Sequence, residues 1–267
     1  MIGIAATLIA AIGGISVLTK EGGSAAELAL AAAAVEEVRS LEAELAQIDE
    51  IQAENDRVYE AYQSLQVMGQ TISSSLIAAA GSIDTLIVHI VELAGRSVTL
   101  AAGFAAADQW TLCVYKAVRD PQSGNDELKL IAHRRAIDCK VEDARSWKVG
   151  VGVAGISYQR KKELVIPNMA EPGLDVVFEP GQNTRDHDRT RYQSIISLPI
   201  FVNGREEPFG VVTATNDRVG YFSSHPLPEF RHDDPVRRLA EFIGLAVGAR
   251  DAIARARSSA LVTIPST

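Results

Sequence analysis

At about Gln109 the spacing of apolar residues changes, and that change limits what this chain can fold into. Before it, apolar side chains recur every seven residues: Ile51, Val58, Leu65, Ile72, Ala79, Leu86, Leu93 and Leu100. A second series interleaves, through Leu41, Ile48, Asn55 and Tyr62, then Leu76, Ile83 and Ile90. Two offset series of this kind mark a helix that supercoils with a copy of itself. Residues 24–107 are therefore read as a long helical, coiled-coil dimerisation region, with Ile51, Val58, Leu65, Leu86 and Leu93 in the seam and Asn55 fixing the register. The alternative is a long bundle within one chain. Glycines at 69, 81, 95 and 103 predict kinks or breaks. Leu76–Ala107 is more apolar than a coiled coil needs. Asp84, His89, Glu92 and Arg96 argue against a membrane span there, so this helix is expected to pack against a domain.

From Gln109 onward the period is two. "QWTLCVYKAVRD" reads as a strand, "PQSGND" as a turn and "ELKLIAHRRA" as the returning strand. Val141–Trp147 is expected to form a short polar helix, and "LVIPN" a short strand stopped by Pro167. A long polar section, Met169–Gln193, leads to the strands "SIISLPIFV" and "PFGVVTATND", joined by the turn "NGREE". A helix near Pro235–Arg257 carries Leu239, Phe242, Ile243, Ala246 and Val247 on one face. The chain plan closes with 251–267 as a flexible tail.

Composition narrows the function classes. The net charge is −8, and the excess acid is concentrated: residues 21–68 hold eleven Asp and Glu against two Arg. No nucleic-acid partner is expected from such a surface. Two cysteines, Cys113 and Cys139, are too few for a disulfide framework or a Cys-rich metal site. Residues 1–20 run without a charge until Lys20, with no basic residue ahead of the apolar stretch. They read as an uncleaved transmembrane helix at the margin of spanning length, with the bulk of the protein in the cytoplasm. The alternative is a buried Ala/Gly-rich helix of a larger assembly.

Gly150, Gly152 and Gly155 spell G-x-G-x-x-G, the pattern of a dinucleotide-binding turn. That turn needs a buried parallel strand before it and a full crossover helix after it. Here "VEDARSWKV" precedes it, the helix that follows is short, and the flanking strands join by hairpins. The dinucleotide reading fails on context. The words "GVGVAGISYQRKKELVIPN", "RYQSIISLPIFVNGREEPFGVVTATND" and "YFSS", followed by the C-terminal helix, resemble instead the GAF domain family over roughly Gln109–Arg250. The resemblance implies an α+β fold at 108–250: an antiparallel sheet flanked by helices, preceded by the coiled-coil helix and the N-terminal anchor.

It also implies a ligand pocket on one sheet face, beneath Met169–Gln193. The candidate lining residues are Arg134, Tyr158, Phe178, Arg191, Ser194, Ser197, Thr213 and Thr215. Arg185, Arg189 and Arg191 would suit a phosphate, or would pair with Asp186 and Asp188 in a solvated loop. The family's cyclic-nucleotide signature is only partly matched, by Asn216, Arg218, Phe222, Glu229 and Asp233/Asp234. Cys139 lacks the context for a bilin. A haem ligand would have to be His89, His133, His187, His225 or His232. No cofactor is named by these residues. No nucleophile elbow, P-loop or metal-spaced His/Cys set is present, and the family's methionine sulfoxide reductase branch needs more cysteines than this chain has. The expectation is a non-enzyme.

Three functions remain open: a membrane-anchored homodimeric or higher-order sensor of a small molecule or partner protein; an effector whose membrane helices oligomerise when the domain is engaged; and a ligand-free scaffold for a membrane complex.

Overall fold

The computed structural model describes residues 25–78, 81–120, 124, 126–136, 145–174, 191–223 and 232–262. Residues 1–20, Phe178, Cys139, Arg185 and Arg189 lie outside them. Among the described residues are four helices, α1 (Ala25–Ala78), α2 (Ile83–Ala101), α3 (Gly152–Arg160) and α4 (Asp234–Val262), and six strands. The strands are β1 (Thr111–Arg119), β2 (Asp126–Arg135), β3 (Trp147–Lys148), β4 (Leu164–Ile166), β5 (Ser194–Pro199) and β6 (Gly210–Asn216). They form one antiparallel sheet in the order β3-β2-β1-β6-β5-β4. The α+β expectation holds, and the four longer strands fall where the alternation places them. Where a helix was expected up to Trp147, the chain instead enters the sheet through the two residues of β3, paired to Glu127 and Leu128.

The chain divides into two compact units, residues 1–56 and 57–267. In the second unit the main core lies on one face of the sheet. Leu112, Val114, Ala132, Ile196, Leu198, Val212 and Ala214 meet Met68 and Ile72 of α1, Ile87, Ile90 and Ala94 of α2, and Leu239, Ile243 and Val247 of α4. Lys116 of β1 bonds Asp84 near the start of α2 at 2.7 Å, and the Ser82 hydroxyl caps that helix by accepting from Thr85 N–H. The break between α1 and α2 comes at the glycine that predicted one, since Gly81 takes φ +78.

The heptads do not continue as one seam. Leu86 is 2% exposed and Leu93 is 62% exposed, although they are seven residues apart. On α2 the buried pairs recur every four residues, Leu86/Ile87, Ile90/Val91, Ala94/Gly95 and Val98/Thr99. A four-residue stripe drifts around the helix in the opposite sense to a heptad stripe, so packing on the sheet claims Leu86 and leaves Leu93 outside. Leu65 likewise packs against the core within its own chain. Val58 and Ile51 stay open, at 56% and 54% exposure, each in its own unit.

α4 runs past the expected start of the tail at residue 251. Asp251 accepts two hydrogen bonds from the Arg205 guanidinium in the β5–β6 turn, and Arg250 donates to the Gly81 carbonyl. Only residues 263–267 lie beyond the described helix. No helix among the described residues is long and apolar enough to cross a membrane.

Candidate ligand-binding site

The second face of the sheet is built differently. Ser197 of β5, Thr213 of β6, Cys113 of β1 and His133 of β2 stand opposite one another in a single row. The next row is Ile195, Thr215, Thr111 and Arg135. Side chains on a strand alternate between faces, so the odd-numbered residues of β6 point here and the even-numbered Val212 and Ala214 point to the helices. The Thr111 and Thr215 hydroxyls are 2.7 Å apart, and Arg135 Nη2 donates to Cys113 Sγ at 3.5 Å. Burial pushes the Cys113 thiol up, with Arg135 opposing that shift. Ser197 is fully buried, and its Oγ has no hydrogen-bond partner among the described residues. A buried hydroxyl left in that state costs free energy that a bound acceptor or donor would recover.

This polar floor has apolar walls. On one side Ala154 and Tyr158 of α3 pack with Tyr115, Leu128 and Val211, with Trp147 against them. On the other, Val153, Ile166 and Ile195 form a cluster with Tyr192, Met169 and Leu174. Arg145 bridges the two walls, 5.6 Å from the Trp147 ring centre and 5.9 Å from that of Tyr192. Burial drives the Tyr115 phenol upward, and the charges of Arg135 and Arg145 act against it.

The three glycines bring α3 onto the sheet. Gly150 and Gly152 adopt φ of +81 and +65, values that disfavour any side chain. Gly155 lies inside the helix, not ahead of it. A Cβ there would stand 2.2 Å from the Lys148 carbonyl oxygen. Gly150 N–H donates to Gly155 O and Val151 N–H to Lys148 O, each at 3.0 Å. From the helix, the Ser157 hydroxyl donates to Ser197 O at 3.1 Å.

Of the residues expected to line a pocket, Ser197, Thr213 and Thr215 lie together on this face. Tyr158 covers it as a wall, its hydroxyl 3.5 Å from Asp126 and its pKa raised to about 12 by burial and by that carboxylate. Arg191 is half-buried just ahead of Tyr192. Ser194 and Arg134 belong to the helix side. The Ser194 hydroxyl accepts from Phe222 N–H at 3.0 Å and bonds Ile166 O at 3.2 Å, tying β5 to the turn after β6.

The Arg134 side chain crosses α2 at Gly95, where a Cβ would meet its Cδ. A β-bulge put it there: Val114 pairs with Ala132 but Tyr115 pairs with Leu130, so Ile131 is the extra residue. One inserted residue reverses every side chain beyond it. Leu128 and Ala132 accordingly fall in different cores despite equal parity, and His133 and Arg135 replace Arg134 on the floor. Cys113, Thr111, His133, Arg135 and Arg145 were not among the expected lining residues. The alternation in "TLCVY" does separate Thr111 and Cys113 from Leu112 and Val114.

Asn216, Arg218 and Phe222 have a structural task. The Asp108 carboxylate accepts from Ala105 N–H, Asn216 Nδ2 and Arg218 Nη2, at 3.1, 3.1 and 2.8 Å. Arg218 lies 4.7 Å over the Tyr221 ring, which stacks with Phe104 and His232. The Tyr221 hydroxyl and His232 Nδ1 both bond the Ala102 carbonyl at the end of α2. Burial holds the His232 pKa below its usual value. Among the described residues no group of three or more His, Cys, Asp or Glu is placed to hold a metal ion.

No protein-family model matches the chain, and no curated protein matches it by sequence. It is similar to solved GAF domain structures. The GAF domain of an Acinetobacter phosphoenolpyruvate-protein phosphotransferase is 15% identical, covering 72% of this chain and 96% of its own, with a TM-score of 0.46. The corresponding domain from Coxiella burnetii is 16% identical, covering 75% and 98%, with a TM-score of 0.42. A free methionine-R-sulfoxide reductase from Neisseria meningitidis, solved with its substrate, is 17% identical, covering 72% and 93%, with a TM-score of 0.43.

Proposed function

We propose that residues 108–250 are a GAF-type sensor domain that binds a small molecule on the sheet face opposite α1, α2 and α4, without catalysing a reaction. The observation that carries this reading is the division of labour between the two faces. One is sealed by α1, α2 and α4 with apolar side chains. The other keeps a row of hydroxyl, thiol and imidazole groups under cover, including the buried, partnerless Ser197 Oγ. A purely structural sheet gains nothing from such a floor.

The test is a thermal-shift screen of the full-length protein against cyclic nucleotides, nucleotides, amino acids and organic acids. A saturable rise in melting temperature is expected for at least one compound, and a bulky Thr213→Tyr substitution should abolish it. A flat response from folded protein would sink the sensor reading and leave a scaffold.

The sensor is proposed to work as a homodimer joined through its helices and held at a membrane by residues 1–20. Support for self-association comes from Val58 and Leu93, large apolar side chains left exposed in the second unit. Val58→Glu combined with Leu93→Glu is expected to shift the protein from dimer to monomer in sedimentation, with its melting temperature little changed. A double variant that sediments like the parent would overturn this seam. Recovery in the membrane fraction, lost when residues 1–20 are removed, checks the anchor.

A further inference from the structure

We propose that two copies of this chain meet in parallel along one uncharged stripe of α1, through Leu41, Leu45, Ile48, Gln52, Asn55, Tyr59 and Tyr62. The inference rests on the self-association reading above and names the surface that carries it. α1 has two working faces. In the second unit Ser64, Met68 and Ile72 are buried, the last two in the chain's own core. The opposite face of the same turns carries Tyr59, Tyr62, Gln66 and Gln70, all exposed. In the first unit Leu41, Leu45 and Ile48 are exposed in their turn.

Spacing decides the kind of contact. From Leu41 to Tyr62 the stripe advances by alternating steps of four and three residues, the period of two helices wound round each other. The series through Ile51, Val58 and Leu65 shares Ile48, Asn55 and Tyr62 with it. Leu65, however, packs against its own core, so the stripe goes on through Tyr59 and Gln66. Leu41, Leu45, Ile48, Val58, Tyr59 and Tyr62 are each between 44% and 64% exposed. With the amides between them they offer roughly the 800 Å² that each partner brings to a standard interface.

The polar members of the stripe select a second copy as its occupant. Gln52, Asn55 and Gln66 carry amides, each a donor and an acceptor at once. In a parallel pair in register every amide faces its own counterpart and both groups are satisfied. A shift of one heptad would set Asn55 against Ile48 or Tyr62. Glu42, Glu44, Asp49 and Asp56 flank the stripe. Two copies bring these acids together, so salt strengthens the contact by screening them. A basic helix on the same stripe would be attracted by the acids and released by salt.

The experiment uses full-length Cys139→Ser protein, in which the remaining Cys113 is buried, under mild oxidation. Ile48→Cys and Tyr62→Cys should each form a covalent dimer, which only parallel helices in register allow at both positions. Glu50→Cys should not, because two residues turn it about 200° away from Ile48. Tyr59→Ala with Tyr62→Ala should weaken self-association in sedimentation about ten-fold. Raising the salt from about 0.01 M to about 0.15 M should tighten the parent pair about three-fold. If sedimentation shows a dimer while Glu50→Cys cross-links as readily as Tyr62→Cys, the stripe is overturned and self-association stands. A dimer that loosens as salt rises would overturn the acid-flanked parallel pair. A monomer throughout would overturn self-association and the stripe together.

Discussion

Gly155→Ala is expected to destabilise the protein by about 3 kcal/mol, a fall of roughly 6–12 °C in melting temperature for a chain of this size. A single methyl group has this effect because of what it meets. The added Cβ would lie 2.2 Å from the Lys148 carbonyl and 3.2 Å from the Gly150 nitrogen, both main-chain atoms. Neither can rotate away as the end of a flexible side chain can. Relief has to come from lifting α3 off the sheet, and that loosens Val153, Ala154 and Tyr158 together with the Gly150 N–H to Gly155 O bond. Gly69→Ala is the control. It is also a helical glycine, but its Cβ would find only Phe242 Cε1 at 4.0 Å, so alanine there should be neutral or add up to about 1 kcal/mol. Equal melting temperatures for the two variants would show that the α3 approach is softer than the geometry states.

Asp108→Ala is expected to cost about 3 kcal/mol in urea unfolding. Asp108 is nearly buried, and one of its oxygens serves three donors. Its removal strands Asn216 Nδ2, whose residue is fully buried and cannot turn to water. Arg218→Ala is the milder half of the same lock, at about 1 kcal/mol, because the Arg218 side chain is already 53% exposed and the charge it leaves behind keeps two other donors. If the two variants unfold at the same urea concentration, the junction is held by the ion pair, and stranding the Asn216 amide costs nothing measurable.

The parts of this fold that were legible in the sequence are those with a period long enough to count. β1, β2, β5 and β6 each run for six residues or more, and Gly81 marks the break between the two long helices. β3 was not legible, because two residues have no period and their place is set by pairing to Glu127 and Leu128. The seam through Leu65 and Leu86 failed for another reason. An apolar residue at heptad spacing does not say whether it will meet another chain or its own sheet.

At the site, alternation puts Thr213 and Thr215 on one face of β6, but only the pairing with β5 shows that Ser197 shares it and Ser194 does not, and Arg134 was misplaced. Counting by twos from Leu128 and Leu130 puts Arg134 with them, and the bulge at Ile131 cancels the count. No local residue type announces that bulge. Arg145 was beyond reach for a different reason, since its position depends on two aromatic rings from separate parts of the chain.

β6 is one peptide thick between the two faces it serves. Its odd positions turn Val211, Thr213 and Thr215 to the floor, and its even positions Val212 and Ala214 pack in the core with the helices. Selection can therefore act on the two sets of residues separately. On the sensor reading proposed above, substitutions at Thr213 or Thr215 would change what the floor recognises and leave untouched the residues that seat the helices, whereas changes at Val212 or Ala214 would do the reverse. A lineage of sensors of the proposed kind could replace its ligand while keeping the residues that seat its helices. Divergence among its descendants would then show as every-other-residue variation along a single strand.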